Sequence, residues 1–143
     1  MKRLILILSL LAAPAWAAMA LNPDVKQSTI QQTICVPGYT KGVRPSTVYT
    51  NGIKKRLMMA EGLNWDDRGL YELDHIVPLT VGGHPRSLDN LMLQQWEGPK
   101  GAKVKDQLEV RLNKKVCSRQ ISLAEAQSCI YKNWSACAAK YPK

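Results

Sequence analysis

Read for hydrophobic period, the chain divides into one helical stretch, a pair of short apolar runs and two further helical stretches. Over residues 47–63, Val48, Ile53, Leu57 and Ala60 fall roughly on one face, with Lys54, Lys55 and Arg56 on the other side and Gly62 as the stop. The next apolar runs, Leu73-x-His75-Ile76-Val77 and Leu88-x-x-Leu91-Met92-Leu93, are short enough for strands. Gly82-Gly83 between them can turn the chain at no steric cost, so the pattern predicts a loose hairpin. A third stretch begins near Gly101 and runs to Val116: Val104, Leu108, Leu112 and Val116 recur every four residues, while Lys105, Asp106, Glu109, Lys114 and Lys115 point elsewhere. After a break at 118–121, Ser122-Leu-Ala-Glu125 fits a capping box, and Leu123, Ala126, Ile130 and Trp134 form the buried stripe of a last helix. The order α, ββ, αα predicts a single α+β domain without internal repeats.

The remaining residues frame that domain. Lys2-Arg3, an apolar stretch from Leu4 to Ala13 and two small-x-small triplets, Ala15-Trp16-Ala17 and Ala18-Met19-Ala20, read as a secretory leader over residues 1–20. The stretch is too short, and too soon followed by polar chain, for a transmembrane helix. Residues 21–34 are polar and weakly patterned, which predicts a flexible tether or a frayed first turn, and 35–143 form the domain proper. Cys35-Val-Pro-Gly is a turn, followed by an extended basic loop from Lys41 to Ser46.

Charge and cysteine usage narrow the class. The formal charge of +9 falls to +7 once the leader's two basic residues are set aside, which suits an anionic partner such as nucleic acid, anionic lipid or acidic glycan. All four cysteines, Cys35, Cys117, Cys129 and Cys137, lie in the exported part, and an even count there favours disulfides. No CxxC pair is present, which argues against a structural zinc site. Of three pairings, Cys35 with Cys117 and Cys129 with Cys137 is preferred. The second pair carries a geometric demand: eight positions of continuous helix rise about 12 Å, beyond disulfide reach, so the helix must end near Trp134 and turn back.

The chemistry concentrates between Tyr71 and Leu93, where Asp74 and His75 lie on one arm of the hairpin and Asn90 on the other. An imidazole with an ordinary pKa of about 6.5 can activate water, and a carboxylate is a hard ligand for Mg²⁺. Neighbours on a flat strand point to opposite faces, however, so Asp74 and His75 serve one site only if the strand distorts there.

Asp74-His-Ile-Val-Pro-Leu, then Gly82-Gly83, then Asn90-Leu91, followed by a helix bearing Lys105-Asp106-x-x-Glu109, resembles the HNH endonucleases and their ββα-metal fold. The flanks Cys35-Val-Pro-Gly-Tyr, Val43-Arg44-Pro45 and 116–127 look like a secreted or periplasmic branch of that superfamily. The resemblance spans roughly residues 35–135, with its specific core from Leu73 to Glu109. It implies His75 as general base, Asp74 as a ligand of one divalent metal (Mg²⁺, Mn²⁺ or Zn²⁺), and Asn90 as the residue that orients the histidine or braces the loop. The family's further ligand, a His or Asn in the first turn of the helix, has no counterpart here: Lys103 stands at the corresponding position, leaving Asp106 or Glu109 to substitute.

The resulting expectation is an exported endonuclease acting on DNA, with Lys41, Arg44, Lys54, Lys55, Arg86, Lys103 and Lys105 as phosphate contacts. His84 reads as a loop residue, and Trp96, close to the site, as the tryptophan most suited to a base. A non-catalytic binding module for nucleic acid or protein on the same scaffold is the alternative, motivated by the missing helix ligand. A stapled envelope protein without a nucleic-acid role is a third reading.

Overall fold

The computed structural model describes residues 18–142, so the leader expected over 1–20 lies outside the described residues except for its last three. The architecture is α+β. Strands β1 (Tyr71–His75) and β2 (Leu91–Gln95) pair antiparallel, with Tyr71 opposite Gln95 and His75 opposite Leu91. Among the described residues four α-helices surround them: α1 (Tyr39–Val43), α2 (Thr47–Ala60), α3 (Ala102–Cys117) and α4 (Leu123–Lys140). Helix α2 lies on both strands, whereas α3 and α4 pack on each other and on the loop joining the strands. No helix among the described residues is long and apolar enough to cross a membrane.

That loop, residues 76–90, differs from a hairpin turn. It is part of the core: Val77 and Val81 are fully buried beside Leu108, Leu112 and Val116 of α3. The strands consequently end earlier and begin later than the apolar runs suggest, and Leu88 is exposed in a short 3-10 turn rather than paired. Gly82 has φ 82°, and a Cβ on it would meet Val25. At Gly83 a Cβ would fall 1.7 Å from the Val77 carbonyl oxygen, so the loop folds tightly back on itself only because that side chain is missing.

Residues 21–34 are not a tether. Val25, Ile30 and Ile34 are buried in the main core, and Leu21 forms a β-bridge with Gly83. The polar residues that hide this pattern serve as turn and cap groups: Asn22 Oδ1 accepts from the Asp24 amide, and Gln27 Oε1 accepts from the Leu123 amide at the start of α4.

The helices carry two corrections of face. In α2 the buried side chains are Ile53 and Met58, while Val48 is 84 % exposed. In α3 the buried face is Ala102, Lys105, Leu108, Leu112 and Val116; Val104 is turned out and Lys105 is turned in. The spacing 105, 108, 112, 116 follows the 3.6-residue period better than a strict four-residue repeat. At the start of α4, Ser122 Oγ accepts from the Glu125 amide, but the Glu125 carboxylate does not close the box. It accepts instead from the hydroxyl of Tyr141 and the ammonium of Lys140, 16 and 15 residues further on.

The disulfides join Cys35 to Cys117 and Cys129 to Cys137, with Cα separations of 5.6 and 5.4 Å. The shorter one is accommodated by a break in α4 at Asn133, whose φ of −164° and ψ of 95° leave the helical region. In the chain-entropy picture the bridge spanning 82 residues contributes about 4–5 kcal/mol and the one spanning 8 about 2–3 kcal/mol. Urea unfolding of Cys35→Ala/Cys117→Ala is therefore expected to show the larger loss, and of Cys129→Ala/Cys137→Ala the smaller.

Candidate active site

The centre of the site is the Lys105 ammonium. Its side chain has no solvent exposure, and its Nζ donates to Asp74 Oδ2 at 2.8 Å, to the His75 carbonyl at 2.8 Å and to Glu109 Oε1 at 2.6 Å. Three donors meet three acceptors, which is how a buried ammonium is tolerated. Position 109 follows 105 by one helical turn, so α3 presents cation and carboxylate on one face while β1 delivers Asp74 from the other side. Burial works against the charge on Lys105, but Glu109 and Asp74 outweigh it and hold its pKa above the ordinary value. With two carboxylates facing one ammonium, Lys105 stays charged. Burial pushes Glu109 up to about 7 despite Lys105, with Asp74 adding to the rise.

Asp74 and His75 are held together by backbone as much as by side chain. The other Asp74 oxygen accepts from the His75 amide at 2.7 Å, so the residue folds its carboxylate back on its own strand end. The His75 imidazole reaches into the loop instead, with Nε2 3.1 Å from the Pro85 carbonyl. A carbonyl only accepts, so in the neutral ring Nε2 carries the proton and Nδ1 keeps its lone pair. Burial depresses the His75 pKa, with the Pro85 hydrogen bond and the Asp74 charge acting in the opposite sense, and the ring is neutral at pH 7.

Asn90 does not touch the imidazole; it braces the loop. Its Oδ1 accepts from the Val77 amide at 2.8 Å, its Nδ2 donates to the carbonyls of Val77 and His84, and its own carbonyl accepts from the Ile76 amide. His84 Nδ1 in turn accepts from the amides of Arg86 and Ser87, which fixes Pro85 between them. Asn90 therefore acts on His75 through the loop.

Glu72, which the hydrophobic pattern does not mark, belongs to the same group. It lies two residues before Asp74 and so on the same face of β1. Burial, Asp74 and Asp106 push it up to about 7, against the pull of Arg44 and Lys105, and its buried Oε2 has no hydrogen-bond partner. Asp106 is raised by burial and by Asp74. Arg44 is exposed at the rim, and its charge is felt by Glu72, His75 and Asp106.

Of the metal-ligand set expected from the resemblance, Asp74, Asp106 and Glu109, two members are engaged by a cation of the chain itself. Asp74 and Glu109 close on Lys105 Nζ, and no three His, Cys, Asp or Glu side chains among the described residues come together to hold a metal ion. The ammonium stands where two of the three expected ligands point.

The basic residues sort differently from the expectation as well. Lys105 is sealed and has no face for a phosphate. Lys54 donates to the carbonyls of Arg68 and Tyr71 at 2.6 Å each, tying α2 to the turn before β1. Lys103 is exposed and paired with Glu97; Arg86 lies over the Tyr49 ring with its guanidinium carbon 5.2 Å from the centroid. Lys41, Arg44 and Lys55 are exposed. Trp96 and Lys103 line a cleft of about 560 Å³ with Leu70 and Tyr71, at the end of the hairpin away from His75. The chain matches no protein-family model, no curated protein and no solved structure.

Lys105→Met would leave two carboxylates buried without their counter-charge, and a loss of about 3–5 kcal/mol in urea unfolding is expected at pH 8. Glu72 gives a second test with a definite sign. Its folded pKa of about 7 lies above the ordinary 4.5, so the folded chain holds a proton that the unfolded chain has lost, and stability falls as pH rises from 4.5 through 7. Glu72→Gln removes that loss: its Tm should exceed wild type by about 2–4 °C at pH 8, with no gain at pH 4.

Proposed function

We propose that the chain is an exported, HNH-like endonuclease that hydrolyses phosphodiester bonds, most readily of DNA, with His75 as the general base. The observation that carries this reading is the fixed, neutral imidazole: Nε2 is committed to the Pro85 carbonyl, which leaves Nδ1 to take a proton from water. The water oxygen then bonds to phosphorus as the bond to the 3′-oxygen breaks, the released 3′-oxyanion takes a proton from solvent, and the imidazolium formed is stabilised by the Pro85 carbonyl and the Asp74 charge. Arg44, exposed beside His75, is suited to a phosphate, with Lys41, Lys55 and Arg86 as further exposed cations. The order β1, β2, α3, with Asp74 and His75 on β1 and Asn90 just before β2, supports this reading. A divalent cation is part of this reading, but the carboxylates as arranged do not close on one, and no step is assigned to it.

The second reading is a non-catalytic module on the same scaffold. It is favoured by the Lys105 ammonium, which spends the carboxylates a nuclease would use on a metal.

Plasmid DNA incubated with the processed protein, in EDTA and separately with Mg²⁺, Mn²⁺ and Zn²⁺, distinguishes the two. Nicking in at least one condition is expected, reduced about 10²–10⁴-fold in His75→Ala. Binding of DNA without cleavage in every condition would favour the binding module, whereas equal cleavage by the variant would overturn His75 as the general base.

A further inference from the structure

We infer that the leader is removed after Ala17, not after Ala20, and that the three residues kept by this choice, Ala18-Met19-Ala20, are part of the machinery that positions His75. Both Ala15-Trp16-Ala17 and Ala18-Met19-Ala20 satisfy the small-x-small rule, so sequence leaves two bonds open to a leader peptidase. The fold uses the residues between them. The Ala20 carbonyl accepts from the His84 amide at 2.9 Å, and Met19 packs against the main core alongside Leu21. The contacts continue inward: Leu21 bridges Gly83, the Asn22 amide donates to the Gly82 carbonyl at 2.9 Å, and the Asn22 side chain donates to the Tyr39 hydroxyl.

These bonds end on the residue that organises the catalytic loop. His84 receives Ala20 on its amide, Asn90 on its carbonyl, and the Arg86 and Ser87 amides on its ring. Its neighbour Pro85 supplies the carbonyl that holds the imidazole of His75. Cleavage after Ala17 places the new α-ammonium at Ala18, which is exposed and pays no desolvation. Cleavage after Ala20 would delete the acceptor of the His84 amide and the Met19 packing, and would put an ammonium on half-buried Leu21 in the middle of its bridge to Gly83. A leader peptidase acts on extended chain before folding, so the fold does not steer the cut; it shows which residues must survive the cut.

Export of the full precursor from a bacterial host, followed by N-terminal sequencing and intact mass of the processed protein, reads the bond directly. A sequence starting Ala18-Met19-Ala20 supports the inference; one starting Leu21-Asn22, or an uncleaved Met1, overturns it. The structural role is read separately from processing and from nuclease activity, by comparing chains that begin at Ala18 and at Leu21. The shorter chain is expected to melt about 3–6 °C lower and to exchange its His84 amide at least ~10-fold faster, or to fail to fold. Equal melting and equal exchange would overturn the positioning role.

Discussion

A lysine ammonium sealed from water imposes the strictest condition in this molecule. It must be met by acceptors on every donor, because an uncompensated charge in the interior costs several kcal/mol. Helix α3 and strand β1 can therefore dock in one register only, the one that brings Asp74, the His75 carbonyl and Glu109 to a single point. Apolar packing of Leu108 and Leu112 would tolerate a shift of the helix; the three bonds do not. The same condition fixes the end of β1, since the His75 amide and carbonyl are both engaged and the chain leaves the sheet there.

The distribution of cations follows from this economy. Of the residues that read as a basic surface, one is consumed in the core and another ties a turn to α2, leaving Arg44 as the exposed guanidinium felt by His75 and the carboxylates around it. Burial, with the charge of Asp74 and Asp106 adding to it, raises Glu72 and Glu109 both to about 7. The region beside His75 is thus locally acidic within a protein of net positive charge.

Much of the fold was legible in the sequence where period and punctuation agree: the α, ββ, αα order, the stop at Gly62, the Ser122 cap and the need for a break before Cys137. The failures share a cause. Hydrophobic period assigns charged and polar residues to the outside, so Lys105 was turned out, and Val104 turned in to complete a stripe. It likewise treated residues 21–34 as loose, although Val25, Ile30 and Ile34 are core, because their spacing fits no regular element. In the site, Asp74, His75 and Asn90 were identifiable as residue types, but their partners were not. The Pro85 carbonyl is backbone and leaves no mark in a sequence, and Glu72 needed the strand register before its place beside Asp74 was visible.

The bond between Cys35 and Cys117 closes a ring that contains β1, β2, the loop between them and nearly all of α3. Every residue assigned to the site, from Arg44 to Glu109, is inside that ring. A protease that cuts once anywhere within it opens the chain without releasing a fragment, so the two pieces stay joined through sulfur. Such a nicked molecule would run as a single intact species on a non-reducing gel and separate only when thiol is added. The site thus has a tolerance to single cuts that a linear domain of the same size would lack.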